Sequence, residues 1–377
     1  MINKKDENFE KKIMKKTFSL AKKANPSPNP YVGAIILKNN KIIGYGYHKK
    51  AGMAHAEIEA INSVKKRYPK TWKQKLEGSS LYVNLEPCNH YGRTPPCTKA
   101  IIEHKIKKVV FAMKDINKSV KGNGALELKK SGIIVKEGIL EKEAQKLNEA
   151  YIKVQKTKMP LVLVKLAISL DGKIATKNFE SKWISSEKSR QIVNKLRAES
   201  DAILIGIGTL KKDNPSLDVK NKKLYKYPLK VIVTSYLDEI NGNERVFSNG
   251  QVLIAYNKVK NKKHLLKLSK RKINLIRCPQ DKNGIDLKYL LKHLAKIGCN
   301  KILCEGGGKI ATSLLKKDFV DYLILFYAPK IIGNDGIACF SKLGIKKLSQ
   351  AYKFRIEKIK KVDTDVMIIL KRLETNA

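Results

Sequence analysis

The stretch Leu81–Ala100, LYVNLEPCNHYGRTPPCTKA, contains two of the six cysteines of the chain, and each of them directly follows a proline. Its first part belongs to the apolar run SLYVNLE, which predicts a strand, and a helix is predicted to begin near the second cysteine. The two cysteines are open to three interpretations: a metal site, a loose disulfide, or two unrelated thiols near a turn. The sequence upstream decides among them.

That upstream segment, AGMAHAEIEAINSVKK, contains His55 and Glu57, and a helix is predicted to begin near His55. One imidazole and two thiolates, from His55, Cys88 and Cys97, are three ligands that zinc accepts, with a fourth position left for water. Zinc makes such a water acidic near neutral pH, so hydroxide becomes available as a nucleophile. The sequence therefore predicts a catalytic zinc site.

Glu57 is predicted to carry the proton in this site. Residues two positions apart on a helix are about 200° apart around its axis, so His55 and Glu57 cannot share one flank. Both can still face a site that lies off the helix N-terminus. A carboxylate beside the metal can take the proton of the water and return it to a ring nitrogen and a leaving amine, as zinc deaminases of bases do. Each feature alone is more often structural, but their combination favours deamination of an aminated ring.

The spacing of the two cysteines narrows the substrate class. Eight residues separate Cys88 from Cys97, whereas two residues separate the cysteines in zinc deaminases that act on nucleic-acid bases. We expect the longer loop, 89–96, at the mouth of the metal site. Its polar groups suit a small phosphorylated substrate.

The second half of the chain offers two glycine-containing segments. CEGGGKI, at 304–310, is predicted to lie between a strand and a helix, where glycines let a phosphate approach the backbone N–H groups of a helix N-terminus. GIGTLKKDNPSL, at 206–217, is predicted as a turn and loop after a strand. These features predict only that an anionic ligand binds, and a glycine turn that serves packing alone stays an open alternative.

Strands alternate with helices in both halves, which predicts two α/β domains, at 1–150 and 151–377. Within the first, YVGAIILKNNKIIGYGYH predicts a hairpin with its turn at the two asparagines. No uncharged apolar run approaches the ~20 residues that a membrane span needs. The start of the chain mixes basic residues with Asp6, Glu7 and Glu10 and no apolar region follows it, which predicts no signal peptide. With six scattered thiols and no disulfide framework, we expect a cytoplasmic protein.

The charge balance is strongly basic, with 78 Lys+Arg against 34 Asp+Glu and a formal net charge of +44. A positive surface of this size attracts nucleic acid, but proteins that read bases favour Arg, and Lys dominates here. We therefore expect a solvated, lysine-rich surface, with small molecules as partners and neither a specific nucleic acid nor a membrane. A homo-oligomer stays possible, and the sequence does not define its state.

The motifs EPCNHYGRTPPC, PNPYVGAII, GYHKKAGMAHAE, SLDGKIA, SKWIS and DNPSL together resemble the bifunctional deaminase/reductase family of riboflavin biosynthesis, over nearly the whole chain. The resemblance implies a cytidine-deaminase-like three-layer domain followed by a dihydrofolate-reductase-like α/β domain. It implies Zn²⁺ and NADPH as cofactors. The implied reactions are deamination of 2,5-diamino-6-(5-phosphoribosylamino)pyrimidin-4(3H)-one, then reduction of the ribosyl group of 5-amino-6-(5-phosphoribosylamino)uracil to ribityl.

The same resemblance implies roles for single residues. In the first domain it adds Asn29 and His48, which would hold the pyrimidine, to the zinc ligands and Glu57. In the second domain it implies a sugar-phosphate site formed by Ser181, Arg197, Leu217, Lys220 and Glu305. It also implies cofactor contacts at Ala167, Trp183, Thr209, Asp213, Ser235, Gly307, Gly308, Lys309, Ile310, Ala311, Thr312 and Ser313.

Two positions depart from the family pattern. Lys220 stands where relatives usually have Arg, and it offers phosphate a point charge instead of a planar fork, so we expect a modest loss at most. DINK, at Asp115–Lys118, stands where the family often has DPNP, and the absence of both prolines predicts a softer loop.

Two alternatives remain open. The first is an RNA-acting zinc deaminase with a C-terminal binding domain, favoured by the net charge but opposed by the wide cysteine spacing and the scarcity of Arg. The second is a deaminase whose C-terminal half has only a structural or oligomerisation role, an idea that Lys220 weakly favours.

Overall fold

The computed structural model describes most of the chain, namely residues 4–91, 95–117, 123–220, 224, 226–271, 273–282 and 284–373. It divides into two compact units, Met1–Thr157 with Leu224–Lys226, and Lys158–Lys223 with Tyr227–Ala377. The first unit thus extends beyond residue 150, because Ile152 of the helix Glu149–Thr157 packs against its hydrophobic core.

The helices and strands of the first unit, in chain order, are α1 (Lys4–Ala21), β1 (Gly33–Lys38), β2 (Lys41–Tyr47), α2 (Ala56–Arg67), α3 (Trp72–Leu76), β3 (Ser80–Leu85), α4 (Cys97–Glu103), β4 (Lys108–Met113), α5 (Asn123–Lys130), β5 (Ile134–Glu137), α6 (Glu141–Leu147) and α7 (Glu149–Thr157). Among the described residues, five strands form one sheet in the order β2-β1-β3-β4-β5. β1 runs antiparallel to β2 and β3, and β3, β4 and β5 are parallel.

Consecutive residues of β1 and β4 are buried, so both faces of this sheet are covered. Residues of α1 and α2 contribute to the covering core. The predicted hairpin is confirmed: Asn39 and Asn40 form its turn with φ of 50° and 60°, a left-handed conformation that asparagine tolerates. This layered arrangement is the one that the sequence predicts.

A glycine in β2 allows α2 to lie directly on the sheet. A Cβ at Gly46 would lie 2.4 Å from the backbone nitrogen of Ala60, so any larger residue would push the helix away. The start of α2, which follows His55, is fixed in this way relative to the end of β3. Sequence spacing alone does not define that distance.

The helices and strands of the second unit are β6 (Leu161–Ser169), β7 (Lys173–Ala175), α8 (Glu187–Ala198), β8 (Ala202–Gly206), α9 (Ile207–Asp213), β9 (Leu229–Tyr236), β10 (Val252–Lys258), α10 (Lys262–Lys270), β11 (Asn274–Arg277), β12 (Gln280–Asp281), β13 (Gly284–Ile285), α11 (Leu287–Lys296), β14 (Lys301–Cys304), α12 (Gly308–Lys316), β15 (Tyr322–Ala328), β16 (Ile337–Ala338), β17 (Phe354–Val362) and β18 (Asp365–Arg372). In the part of this unit that the structure describes, nine strands form one sheet in the order β11-β10-β9-β8-β14-β6-β15-β18-β17. The strands from β11 to β15 are parallel, and β18 and β17 add an antiparallel pair at one edge.

One sequence prediction in this unit is wrong. The segment after β8 is predicted as a turn and loop, but it forms the helix α9. Gly206 precedes the helix in an extended conformation, Leu210 is buried on its inner side, and Asn214 ends it with φ of 39°. A left-handed asparagine is a common helix end, and the two glycines hid this short helix from a propensity argument.

Across the described residues of both units, no helix combines the length and the apolar character needed to span a bilayer.

Candidate active sites

The three predicted metal ligands come from three different elements of the first unit. His55 is the N-cap residue of α2, Cys88 lies in the segment after β3, and Cys97 is the first residue of α4. The Nδ1 atom of His55 lies 3.3 Å from the Sγ atom of Cys97 and 3.5 Å from that of Cys88. The three ligand atoms all lie within 4.8 Å of one another.

These distances fit a tetrahedral zinc ion. With Zn–S bonds of about 2.3 Å and Zn–N bonds of about 2.0–2.1 Å, a tetrahedron separates nitrogen from sulfur by roughly 3.6 Å. The separations of 3.3 and 3.5 Å are close to that value. The sequence prediction that these side chains meet at one point is therefore borne out by the geometry, and the donor set suits zinc.

Hydrogen bonds among the three predicted ligands stabilise the thiolate form of one cysteine, Cys88. The Cys97 thiol and the His55 imidazole, together with the backbone N–H of Cys97, lower the pKa of Cys88 to about 4. The hydrogen bond to Cys88 raises the pKa of His55. A hydrogen bond to Cys88, together with burial, raises the pKa of the Cys97 thiol well above the usual range. Thiolate is the form of cysteine that binds metal, so Cys88 is prepared for this role.

Glu57, the second residue of α2, is buried beside the ligands, and burial raises the pKa of its carboxyl to about 7. Its carboxylate accepts a hydrogen bond from the Cys97 thiol. His55 precedes the helix with extended backbone angles, φ −71° and ψ 163°, so the 200° rule for two helical residues does not apply. This explains how His55 and Glu57 face one site.

A cavity of about 570 Å³ opens at this site and is lined by Asn29, His48, His55, Glu57 and Cys88 among others. The Nδ1 atom of His48 lies 3.0 Å from the carbonyl oxygen of Ala54 and therefore donates to it. The Nε2 atom must then accept from the Nδ2 atom of Asn29, 2.9 Å away. Burial lowers the pKa of His48, which keeps the ring neutral in this chain of hydrogen bonds.

The same cavity contains polar residues that the sequence analysis missed. The Tyr151 hydroxyl donates to Asp115 at 3.0 Å, and the Asp115 backbone N–H donates to Glu86 at 3.2 Å. Burial raises the pKa of Asp115. Asp115 was noted only as part of the DINK loop, whose Lys118 lies outside the described residues, as do residues 92–94 of the cysteine loop. An acidic residue directly after the apolar run of β4 was the available signal.

The second unit contains a cavity of about 590 Å³ that brings together most of the predicted cofactor contacts. Its lining includes Ser181, Thr209, Asp213, Ser235, Gly307, Gly308, Lys309, Ile310 and Ser313. Ser181 lies in the segment between β7 and α8, and the other residues come from α9, the end of β9 and the start of α12. A helix N-terminus at the cavity is the anion-binding feature that the glycine-rich motif predicts.

Four predicted contacts do not belong to the lining of this cavity, namely Ala167, Trp183, Ala311 and Thr312. Trp183 is 64% exposed, with the Arg190 guanidinium 4.3 Å from its ring. Ala311 is buried, and the hydroxyl of Thr312 accepts a hydrogen bond from the backbone of Ser341. The helical period turns these two residues of α12 towards the protein interior.

Two of the three glycines before α12 have packing reasons. A Cβ at Gly306 would lie 2.1 Å from the side chain of Ile310, and one at Gly308 would lie 2.9 Å from the carbonyl oxygen of Ala338. Gly307 faces more open space, and its N–H donates to the hydroxyl of Thr209 at 3.0 Å. Packing thus requires glycine at 306 and 308, while Gly307 and Gly308 both belong to the lining of the cavity.

The predicted sugar-phosphate residues form two groups rather than one cluster. Arg197 forms a two-pronged ion pair with Glu305, at 2.5 and 2.9 Å, while Ser181 donates to Asp213 at 3.1 Å. Leu217 is buried and Lys220 is exposed.

One further residue near this ion pair was missed by the sequence analysis. Lys165 lies in β6, and its pKa is lowered by burial, against the opposing effect of Glu305. A lysine inside the apolar run LVLVKLAIS was the signal that could have found it.

Comparisons with known proteins agree with both sites. The chain matches the cytidine and deoxycytidylate deaminase zinc-binding region over residues 7–113 and the RibD C-terminal domain over residues 160–368. The riboflavin biosynthesis protein RibD of Aquifex aeolicus is 38% identical over 375 residues, which cover 99% of this chain and 100% of that protein. The Escherichia coli RibD is 34% identical over 355 residues, covering 91% and 93%.

Solved structures lead to the same family. Acinetobacter baumannii RibD superposes with a TM-score of 0.87 at 32% identity, covering 98% of this chain and 100% of that one. A Thermotoga maritima protein, described as a diaminohydroxyphosphoribosylaminopyrimidine deaminase/5-amino-6-(5-phosphoribosylamino)uracil reductase, superposes with a TM-score of 0.85 at 33% identity and the same coverage.

Fold, sites and family models define a two-domain enzyme in which a zinc-binding deaminase domain precedes an NADPH-dependent reductase domain. The predicted fold class, both activities and both cofactors are thereby confirmed. The chain belongs to the RibD family of riboflavin biosynthesis proteins. Nothing in these comparisons supports the RNA-acting alternative, and the family of the first domain indicates small nucleotide-like substrates.

Proposed function

We propose that the first unit deaminates 2,5-diamino-6-(5-phosphoribosylamino)pyrimidin-4(3H)-one and that the second reduces the ribosyl group of 5-amino-6-(5-phosphoribosylamino)uracil with NADPH. The observation that carries the proposal is the meeting of His55, Cys88 and Cys97 beside the buried Glu57, at the wall of a cavity of about 570 Å³. The full-length match to a Thermotoga protein described with both activities supports the pairing.

In this proposal His55, Cys88 and Cys97 hold the zinc ion. When bound, zinc supplies a water whose pKa is lowered towards neutrality, which makes it a nucleophile for the ring carbon that carries the amino group. The distances among the three ligand atoms support the assignment, because they already match a tetrahedral ion. His55 and Cys88 line the cavity, so a zinc ion held by these residues would be open to a ligand in it.

Glu57 moves the protons. The overall change replaces the ring amino group with oxygen and releases ammonia, so one proton must leave the attacking water and others must reach the ring nitrogen and the departing nitrogen. A carboxyl with a pKa of about 7 can accept and release protons near neutral pH. Its buried position next to Cys97 places it beside the reacting centre without making it a metal ligand.

Asn29 and His48 hold the ring. The neutral His48 accepts from the Nδ2 atom of Asn29, so the amide oxygen of Asn29 is turned away from His48. An acceptor oriented in this way suits an N–H group of an aminopyrimidinone. Hydrogen bonds that a site makes to such a group reject rings that lack it, because the polar atoms of the site would lose their partner.

The second unit binds NADPH in the cavity at the start of α12, and bound NADPH supplies the hydride that reduces the sugar carbon. The cavity residues that would contact the cofactor are Thr209, Asp213, Ser235, Gly307, Gly308, Lys309, Ile310 and Ser313. In this proposal the sugar phosphate is held by a second set of residues, namely Arg197, Leu217, Lys220, Ser181 and Glu305. The fixed fork between Arg197 and Glu305 supports a positioning task for this pair.

We also propose that the functional division follows the two compact units, with deamination in Met1–Thr157 and reduction in the remainder. A cytoplasmic location goes with this proposal, supported by six cysteines that form no disulfide among the described residues.

The proposal is tested by measuring bound metal together with a coupled assay on the diaminopyrimidine phosphate. We expect roughly one zinc per chain, as in catalytic sites of this ligand set, ammonia release without NADPH, and NADPH oxidation only after deamination. Zinc-free protein that still releases ammonia would contradict the assignment of the first site. Ammonia release with no NADPH oxidation would contradict that of the second, and inosine formation in a tRNA pool would favour the RNA-acting alternative.

A further inference from the structure

Lys230 is a buried lysine within a strand of the second unit. It is the second residue of β9, which lies between β8 and β10, and its side chain is 4% exposed. Burying an ammonium group costs several kcal/mol unless it is paired and hydrogen-bonded. A lysine at this position therefore needs a specific set of partners.

The three N–H donors of Lys230 have three acceptors. The Nζ atom lies 2.7 Å from Oδ1 of Asp218, 2.7 Å from the carbonyl oxygen of Asn249 and 3.2 Å from that of Val246. An ammonium group has three donors and no acceptor, so this set satisfies it completely. Lys230 thus ties two separate loops to the sheet, and one of these loops contains Asp218.

The loop that contains Asp218 includes a backbone conformation that needs support. Leu217 has φ of 56°, in the left-handed region that costs a non-glycine residue about 1–3 kcal/mol. Such a conformation persists only where the surrounding contacts hold it. The hydrogen bond from Lys230 holds Asp218, the residue directly after Leu217. The Asp218 backbone N–H also donates to the Ser216 hydroxyl at 3.4 Å.

Asp218 connects this loop to Arg197. The backbone oxygen of Asp218 accepts from Nη1 of Arg197 at 3.1 Å, while Nε and Nη2 of Arg197 bind the Glu305 carboxylate. The guanidinium plane is therefore held from two sides. Glu305 directly follows β14, whereas the Asp218 carbonyl lies on a loop whose position depends on Lys230.

We propose that Lys230 is a positioning residue of the reductase site: through Asp218 it fixes the 217–220 segment and one contact of Arg197, and so sets the affinity for the phosphate end of the sugar substrate. The proposal rests on the function proposed above for the second unit. Lys230 touches neither substrate nor cofactor in this arrangement. Its effect on Arg197 passes through Asp218.

A purely structural role makes a different prediction. If Lys230 only stabilises the fold, its loss lowers the melting temperature and leaves the KM of the remaining folded protein unchanged. A positioning role changes the KM for the sugar phosphate selectively, because the cofactor cavity at the start of α12 has none of these residues in its lining.

The test uses the full-length chain with four variants. Lys230→Met removes the charge and keeps the aliphatic stem, Lys230→Arg keeps the charge, and Asp218→Asn removes the other partner. Lys188→Met is the matched control, since Lys188 is an exposed lysine of the same unit with a single ion pair, to Asp363. Steady-state reductase kinetics are measured with the sugar phosphate varied at saturating NADPH and with NADPH varied at saturating sugar phosphate.

We expect Lys230→Met to raise the KM for the sugar phosphate about tenfold, with the KM for NADPH unchanged. Asp218→Asn should do the same, the double variant should add nothing, and Lys230→Arg should recover most of the affinity. Lys188→Met should have no effect. Deaminase activity of the same chain, and the melting temperature, report how much protein is folded.

An unchanged KM for the sugar phosphate in folded Lys230→Met overturns the proposal, as does an equal change in the KM for NADPH. If Lys230→Met does not fold, Asp218→Asn decides in the same way, because Asp218 is a partly exposed loop residue whose amide replacement keeps its size. A wild-type enzyme that oxidises no NADPH with the sugar phosphate would instead contradict the proposed function, and the two failures are thus distinguishable.

Discussion

The two sites of this protein are built in different ways. The metal site takes its three ligands and Glu57 from three short segments, and all its ligand atoms lie within 4.8 Å of one another. The cofactor cavity is lined by residues of β7, α9, β9, α12 and several connecting loops. The first site is defined by the chemistry of a few side chains, and the second by where a parallel sheet and its helices place their ends.

This difference has a consequence for substitutions. A metal site loses its function when one ligand is removed, because each ligand has its own place in a tetrahedron. A cavity lined by many backbone and side-chain groups distributes its binding energy over them. Single substitutions should therefore have large effects in the first unit and graded effects in the second.

The largest effect is expected for Cys97→Ala. It removes one of three ligands, so bound zinc should fall from roughly one equivalent to near zero and deamination should disappear. Reduction should continue at the wild-type rate, because the reductase cavity lies in the other unit. Metal analysis and separate assays of the two reactions check this. Cys278→Ala, which removes a buried thiol of the second unit, is the control that should keep its zinc.

The second-largest effect is expected for Glu57→Gln. The amide keeps the shape of the carboxylate but cannot take a proton, so we expect zinc to stay bound and deamination to slow about 10²–10⁴-fold. Glu59→Gln, two residues further along α2 and paired with Lys49, should leave the rate within a factor of two or so. Normal turnover by Glu57→Gln would show that another group moves the proton.

Arg197→Lys tests in the second unit whether single substitutions have graded effects there. Lysine keeps the charge but loses the fork that binds Glu305, so we expect the KM for the sugar phosphate to rise about tenfold and deamination to stay unchanged. A complete loss of reduction would mean that this site also depends on a single side chain. Steady-state kinetics with each substrate varied in turn will separate the two outcomes.

The substitution Glu10→Gln tests whether the stability of the first unit can be changed without changing its zinc content. Burial alone would raise the pKa of Glu10, but hydrogen bonds from Lys108 and Lys136 hold this pKa below its ordinary value. A carboxyl with a lowered pKa in the folded state contributes stability above the pKa of the unfolded chain, and this contribution disappears as the pH falls through the folded pKa. Glu10→Gln should therefore cost about 1 kcal/mol of unfolding free energy at pH 7.

The cost of Glu10→Gln should shrink towards zero in acid, where the wild-type carboxyl is protonated as well. Denaturant titrations of both proteins between neutral and acidic pH will measure it. The zinc content at neutral pH should be the same in both. A difference in unfolding free energy that stays constant with pH would exclude the charge pairs as its cause.

The smallest effect is expected for Lys220→Arg, which introduces the residue that the family resemblance implies at this position. Lys220 is exposed, and its backbone N–H donates to the side chain of Asn194. An arginine fork should bind phosphate somewhat better, so we expect the KM for the sugar phosphate to fall two- to threefold, roughly. Reductase kinetics under identical salt will detect this, and no change would mean that residue 220 does not reach the phosphate.

The extent to which the two sites could be predicted from sequence follows the same contrast. The sequence predicted that His55, Glu57, Cys88 and Cys97 lie together, and the structure brings them together. The prediction was possible because few residue types bind zinc and their motifs are specific. Asp115 and Tyr151 were missed as members of the first cavity, since they are brought together by a long-range contact between the end of β4 and α7. Neither lies in a motif with chemistry of its own.

In the second unit, motif matching placed eight cofactor residues and Ser181 at one cavity but could not tell inward from outward positions on α12. Ala311 and Thr312 follow the glycines in sequence, yet the helical period buries them. The sequence left open whether the glycines of this motif serve packing, and the structure gives two of them, Gly306 and Gly308, packing reasons that depend on Ile310 and Ala338. Likewise, Lys165 and Lys230 became informative only once their burial was known.

The sequence by itself determined the α/β class, the candidate metal ligands and the family, because hydrophobic periodicity and the donor chemistry of side chains can be read from local order. The tertiary structure alone decided how His55 and Glu57 face one point, which residues of α12 reach the cavity, and how Lys230 reaches Arg197 through Asp218. These features depend on distances between segments far apart in the chain. Such distances follow from close packing, at Gly46 for example, and no local pattern encodes them.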